Sequence, residues 1–215
     1  METVSFLTTA QIVEVISAFH DALEAHKESI NRLNVYPVPD GDTGTNMFLT
    51  VASVLEEMQP ADPNDREAVC EAMSHGSLMG ARGNSGVILS QVLRGMSSGF
   101  AKANVIDAEV LASALTEASV AADGAVMKPV EGTILTVVRE VARAARGAVE
   151  TDALVQTVEA ALQEGEAALE RTPEQLNVLK EAGVVDAGGA GFLLLLHAIL
   201  RVLDCLLYTS PSPRD

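Results

Sequence analysis

A chain of 215 residues, 48% of them apolar, has room for one domain with a real core and hardly for two. Its net charge of −16, with no basic run, argues against a nucleic-acid backbone as partner. Aromatic residues make up only 3% and tryptophan is absent, so Ala, Val and Leu must fill the interior and helices must approach closely.

The first residues, Met-Glu-Thr-Val-Ser, show neither a basic n-region nor an apolar h-region, so a cytoplasmic location is expected. Ile12, Ile16, Phe19, Leu23, Ile30 and Leu33 recur at 3–4 spacing and predict a helix over Thr9–Leu33, with Thr8 and Gln11 as its capping box. Further helical patterns cover 45–58, 65–79, 85–101, 107–122, 130–148, 152–170 and 187–207. A short helix is expected over 173–181, with Pro173 in its first turn. No useful stretch alternates apolar and polar, so no sheet is expected. The fold class is all-α, an antiparallel bundle of about eight helices forming one domain over 1–206.

The last helix contains Phe192-Leu193-Leu194-Leu195-Leu196, but His197, Arg201 and Asp204 interrupt it, which favours a core helix over a membrane span. Residues 207–215 abandon the pattern and read as a disordered or foreign tail. Cys70 and Cys205, the only cysteines, match no disulfide framework or zinc spacing, and no pair of the four histidines has a metal-ligand spacing.

The chemistry lies in the loops. Asp40-Gly41-Asp42-Thr43-Gly44-Thr45-Asn46-Met47 sets two carboxylates one residue apart ahead of a helix, with hard oxygen donors that suit magnesium. Alone, an Asp-Gly-Asp reads better as a polar turn with Asp as N-cap. A second loop, Gly80-Ala81-Arg82-Gly83-Asn84-Ser85-Gly86, also opens a helix and offers backbone N–H groups, a hydroxyl, an amide and a cation to an anion. It is neither a Walker loop nor a dinucleotide fingerprint. Lys128-Pro129-Val130-Glu131-Gly132-Thr133 and Gly183-Val184-Val185-Asp186-Ala187-Gly188-Gly189 likewise precede helices. Singly, each is as well explained by capping and tight turning. Alternate loops of an up-and-down bundle share an end, so one rim can gather all four.

With these motifs the chain resembles the DhaL-type (dihydroxyacetone kinase L-subunit-like) ATP-binding domain, and within it the N-terminal kinase domain of the bacterial fatty acid kinase ATP-binding subunit. The resemblance runs over about residues 8–204 and rests on four motifs: 34–47, 80–91, 127–135 and 180–189. It implies an eight-helix antiparallel barrel that holds ATP and two Mg²⁺ at one rim. Asp40 and Asp42 would hold the metals, with Asn34 beside them. Gly83, Asn84, Ser85 and Gly86 would wrap the phosphates, and Thr43, Thr45, Asn46, Thr133 and Asp186 would complete the nucleotide site. Arg82 is the candidate stabiliser of the transferred group. The dihydroxyacetone kinase branch carries an Asp where this chain has Asn34 and a His where it has Thr43, which favours the fatty acid kinase branch. That branch implies transfer to the carboxylate of a fatty acid presented by a carrier protein, docked through domains beyond this one. A dihydroxyacetone-type kinase and a non-catalytic helical module are the alternatives.

Overall fold

Thr8 opens the first helix as its sequence predicts: its N–H donates to Gln11 Oε1 at 2.7 Å, and its hydroxyl accepts from the Gln11 N–H at 3.4 Å. The computed structural model describes residues 5–149 and 153–209, the last four as backbone only. Among them run α1 (Thr9–Leu33), α2 (Thr43–Met58), α3 (Arg66–Gly80), α4 (Gly83–Ala101), α5 (Ala108–Gly124), α6 (Ile134–Ala148), α7 (Leu154–Gln175), α8 (Asn177–Ala182) and α9 (Ala187–Thr209). The described residues form no strand. An isolated antiparallel bridge joins Leu7 to Ile106.

The helices close a ring. α1 packs on α2 and α9, α2 on α4, α4 on α5, α5 on α6, and α6 on α9; α3 lies across α2 and α4, and α7 across α6 and α9. Phe19, Leu23, Met47, Leu89, Leu111, Leu154 and Phe192 are fully buried inside it. Each such side chain stabilises the fold by about 1.5–3 kcal/mol relative to exposure. With so few aromatic residues, small side chains bring the helices together. A Cβ on Gly95 would sit 2.5 Å from the Ala118 Cα, and one on Gly99 2.8 Å from the Ala114 Cβ, so α4 and α5 touch almost backbone to backbone.

Boundaries shift by a few residues from expectation, α6 opening at Ile134 rather than 130, and two differences have a particular cause. Pro173 does not start a short helix; it lies inside the last turn of α7. Proline lacks the N–H that would reach the carbonyl four residues back. That carbonyl belongs to Leu169, and the Thr172 hydroxyl donates to it at 2.7 Å, so the helix continues without an orphaned acceptor. At the other end, α9 stays helical through Thr209, and the rest of the expected tail, 210–215, lies outside the described residues. Ala187–Cys205, with mean hydropathy 1.6, is long and apolar enough to cross a membrane, but 61% of that stretch is buried within the bundle. It is a core helix, as its interrupted apolar run predicts.

Candidate functional site

The metal-type loop is clamped at both ends. Asn34 ends α1 with its N–H on the Asn31 carbonyl, and its side-chain amide donates to Asp40 Oδ1 at 2.8 Å. On the other side of the loop, Asn31 holds the first turn of α2: its amide nitrogen donates to Thr45 Oγ1 at 3.0 Å, and its Oδ1 accepts from the Thr45 N–H at 3.1 Å. The approach is tight, because a Cβ on Gly44 would lie 2.3 Å from the Lys27 carbonyl oxygen. Glycine is therefore required there by space.

The phosphate-type loop is brought to the same place by α2. Gly83 has φ +57°, and a Cβ on it would meet Asn46 Nδ2 at 2.4 Å. Thr50 completes the junction, donating its hydroxyl to the Asn46 carbonyl at 2.7 Å and accepting from the Arg82 N–H at 3.3 Å. No side chain caps α4, and at α2 the neutral amide oxygen of Asn31 takes the Thr45 N–H while Asp42, the N-cap residue, caps nothing. Neither start is thus capped by a carboxylate, and α4 keeps its positive dipole end free of any capping oxygen, the arrangement that favours a bound anion.

The other two helix starts are built differently. Asp186 precedes α9, is almost fully buried, and accepts from the Gly189 N–H at 2.7 Å. The backbone N–H groups of Ile134 and Gly188 also point to its carboxylate, so one side chain serves the starts of both α6 and α9. Burial raises its pKa to about 6, against the opposing pull of those three backbone donors. Its own N–H donates to the buried Thr172 hydroxyl at 3.1 Å, which ties it to the end of α7. The loop ahead of α6 is equally fixed. Thr136 Oγ1 accepts from the Gly132 N–H and donates to Glu131, and the Thr133 hydroxyl donates to the Val130 carbonyl. The Thr136 hydroxyl, against the opposing effect of burial and with help from Arg139, holds the Glu131 carboxyl below its usual pKa.

One cavity of about 850 Å³ touches all four loops, a size typical of small-molecule sites. Asn34, Asp40, Asp42, Thr43, Asn46, Gly83, Asn84, Ser85, Thr133 and Asp186, ten of the residues expected from sequence, line it. Three do not. Thr45 is spent on Asn31, and Gly86 packs against Thr50, where a Cβ would lie 2.5 Å from the hydroxyl. Arg82 departs furthest from expectation: its guanidinium turns back onto the Met79 and Ala81 carbonyls, and Arg82 is not among the lining residues. Asn34 is placed to orient Asp40, with its own Oδ1 as the remaining acceptor.

Sequence reading missed the apolar wall of Tyr36, Val38, Val126 and Met127, and it gave Lys128 no role although that residue stands in a quoted motif. The available signal was the place of these apolar residues within or beside the quoted motifs; in the structure Met127 is 100% and Val38 52% exposed. Among the described residues, no three His, Cys, Asp or Glu side chains gather as a closed metal site. The donors around Asp40 are a carboxylate pair, an amide oxygen and a hydroxyl. Such an all-oxygen, incomplete set suits Mg²⁺, which keeps waters and takes further oxygens from phosphate.

The DAK2 domain model matches residues 37–201, and all four loops fall wholly or largely within that span. The chain belongs to the DAK2 domain family. This DAK2 domain is 48% identical over 192 residues to Protein YloV of Bacillus subtilis, covering 88% of the chain and 34% of that protein. It is 48% identical over 182 residues to the uncharacterized protein SH1689 of Staphylococcus haemolyticus, covering 84% and 33% respectively. The domain thus spans about a third of the length of these relatives. Dihydroxyacetone kinase from C. freundii, solved in complex with AMP-PNP and Mg²⁺, superposes with a TM-score of 0.64 at 20% identity. The match covers 93% of this chain and 35% of that one. The two share the all-α fold.

Proposed function

We propose that this domain binds ATP with Mg²⁺ and presents its terminal phosphoryl group for transfer, acting in the cytoplasm as the nucleotide half of a kinase. The observation that carries the reading is the meeting of Asp40 and Asp42 with the uncapped start of α4 in one cavity. Phosphoryl transfer asks a protein chiefly for positioning and charge neutralisation. Asp40, held by Asn34, and Asp42 would supply the protein ligands. Bound Mg²⁺ would neutralise triphosphate charge that this acidic chain could not otherwise accept. Gly83, Asn84 and Ser85 would take phosphate oxygens at the α4 start, while Tyr36, Val38, Val126 and Met127 offer an apolar surface to the base or to an acceptor. The cavity fits such a ligand in size, in its oxygen donors and in its division into polar and apolar walls.

For the acceptor, the proposal is a fatty acid carboxylate brought by a carrier protein through other domains. Support comes from Asn34 and Thr43, which stand where the dihydroxyacetone kinase branch carries Asp and His. The fold likeness to dihydroxyacetone kinase supports a second reading, a small hydroxyketone acceptor. Calorimetry of ATP with and without Mg²⁺ tests the nucleotide reading, and absence of Mg-dependent binding would refute it. ADP release with acyl-loaded carrier or with dihydroxyacetone separates the acceptors. This domain alone is expected to bind Mg-ATP and turn over little with either.

A further inference from the structure

We infer that Lys128 is the cation that meets the phosphoryl group in transfer, a role sequence reading gave to Arg82. The inference rests on the kinase reading above. Lys128 is, among the described residues, the only Lys or Arg that lines the cavity, whereas the Arg82 guanidinium is engaged by two backbone carbonyls. Among the described residues Lys128 has no hydrogen-bond or ion-pair partner, although Asp40, Asp42 and Asp186 line the same cavity.

Topology explains that separation. Lys128 lies on the loop that leaves α5, and α5 packs on α4 and α6. Asp40 and Asp42 lie on the loop from α1 to α2, and α1 packs on α2 and α9. The ammonium and the carboxylate pair thus enter the rim from different sides of the ring and do not neutralise each other. Two opposite charges kept apart across one cavity remain available to a ligand that carries both signs along its length, as a metal-bound phosphate chain does. The segment behind Lys128 is held by the bonds of Val130, Glu131 and Gly132 to Thr133 and Thr136, so the charge is delivered from a fixed base.

In the transfer, the bond from the terminal phosphorus to the β,γ-bridging oxygen breaks and its electron pair stays on ADP. A bond forms from an acceptor oxygen to the same phosphorus. A carboxylate acceptor releases no proton, and a hydroxyl acceptor releases one to solvent. Lys128 stays protonated throughout and donates to a non-bridging oxygen of the group in flight, as a point charge with three donors.

The test is calorimetric titration of the whole chain and of Lys128→Met, Lys128→Arg and Lys102→Met with Mg-ATP, Mg-ADP and adenosine. Lys102 pairs with Glu117 beyond the far end of α4 and serves as the control. Lys128→Met should lose about tenfold or more in affinity for Mg-ATP, the loss of a charge-assisted hydrogen bond. It should lose less for Mg-ADP and nothing for adenosine. Lys128→Arg should recover most of the loss, and Lys102→Met should match the parent. Equal losses for ATP and adenosine would mean that Lys128 only shapes its loop, and would overturn the inference. So would unchanged ATP affinity in Lys128→Met, or the same ATP-selective loss in Arg82→Ala instead. A parent that binds no Mg-ATP would overturn the kinase reading itself.

Discussion

The starts of α2 and α4 and the starts of α6 and α9 border the same cavity, yet the two pairs are finished differently. α6 and α9 share the buried carboxylate of Asp186, whose oxygens take backbone N–H groups from both. No carboxylate caps α2 or α4: a neutral amide oxygen, that of Asn31, serves the α2 start, and no side chain serves α4. Each helix start is a partial positive charge that favours an anion. A protein that supplies that anion itself at one pair, and withholds it at the other, separates structure from binding within one pocket. Under the kinase reading, phosphate belongs at the open pair, and the closed pair holds the floor in place.

The largest effect that would sharpen this contrast lies at the open side. Asp40→Ala and Asp42→Ala should each abolish Mg-dependent ATP binding while the helical circular dichroism stays that of the parent. Asn34→Ala, which removes only the group that orients Asp40, should lower Mg²⁺ affinity by roughly 10–100-fold, the usual range for such supporting groups. If both Asp variants bind Mg-ATP like the parent, the open side is not a metal site.

At the closed side the expected effect is on stability and depends on pH. The pKa of Asp186 is about 6 when folded, above its ordinary value of 3.8. A raised folded pKa means that the folded state holds the proton more tightly, so the stabilisation is complete below pH 4 and is lost as pH rises through 6. The stability of the parent relative to Asp186→Asn should therefore fall between pH 4 and pH 6.5, by about 3 kcal/mol at most. Chemical denaturation at several pH values measures it, and a flat difference would show that the carboxylate titrates normally. Gly44→Ala should cost about 1–3 kcal/mol, because its methyl meets the Lys27 backbone, which cannot swing aside as a side chain can. Ser85→Leu should weaken ADP binding by roughly tenfold and shift the melting temperature by only a few degrees, since Ser85 lines the cavity and not the core. A larger loss of stability than of affinity would make the α4 start an ordinary turn.

The helices were legible because each buries one stripe. The Ile12, Ile16, Phe19 and Leu23 spacing and the Thr8–Gln11 box give α1 to the residue. Pro173 misled because its usual place is a first turn, and the hydroxyl that lets α7 continue belongs to its neighbour Thr172. In the site, Asp40, Asp42, Asn84 and Ser85 are readable because their chemistry is carried by adjacent residues in a loop. Arg82 shares such a loop, yet where its guanidinium points depends on the Met79 and Ala81 carbonyls, which no spacing encodes. Lys128 shows the converse. It is distant in sequence from both binding loops, and only the closing of the ring from α5 to α6 brings it to the cavity.

The orientation of α9 sets a distance. Its first residues belong to the cavity floor, where Gly188 is part of the lining, and its 23 residues run from there to the other end of the bundle. At 1.5 Å per residue the helix carries the chain about 34 Å from the cavity end. A polypeptide joined after α9 would therefore depart from the side opposite the cavity. To offer an acceptor to Lys128 it would have to travel back along the flank of the ring or be supplied by a second molecule. Donor and acceptor would then meet only when such an arm folds over the rim, so linker reach would govern turnover as much as the chemistry within the cavity.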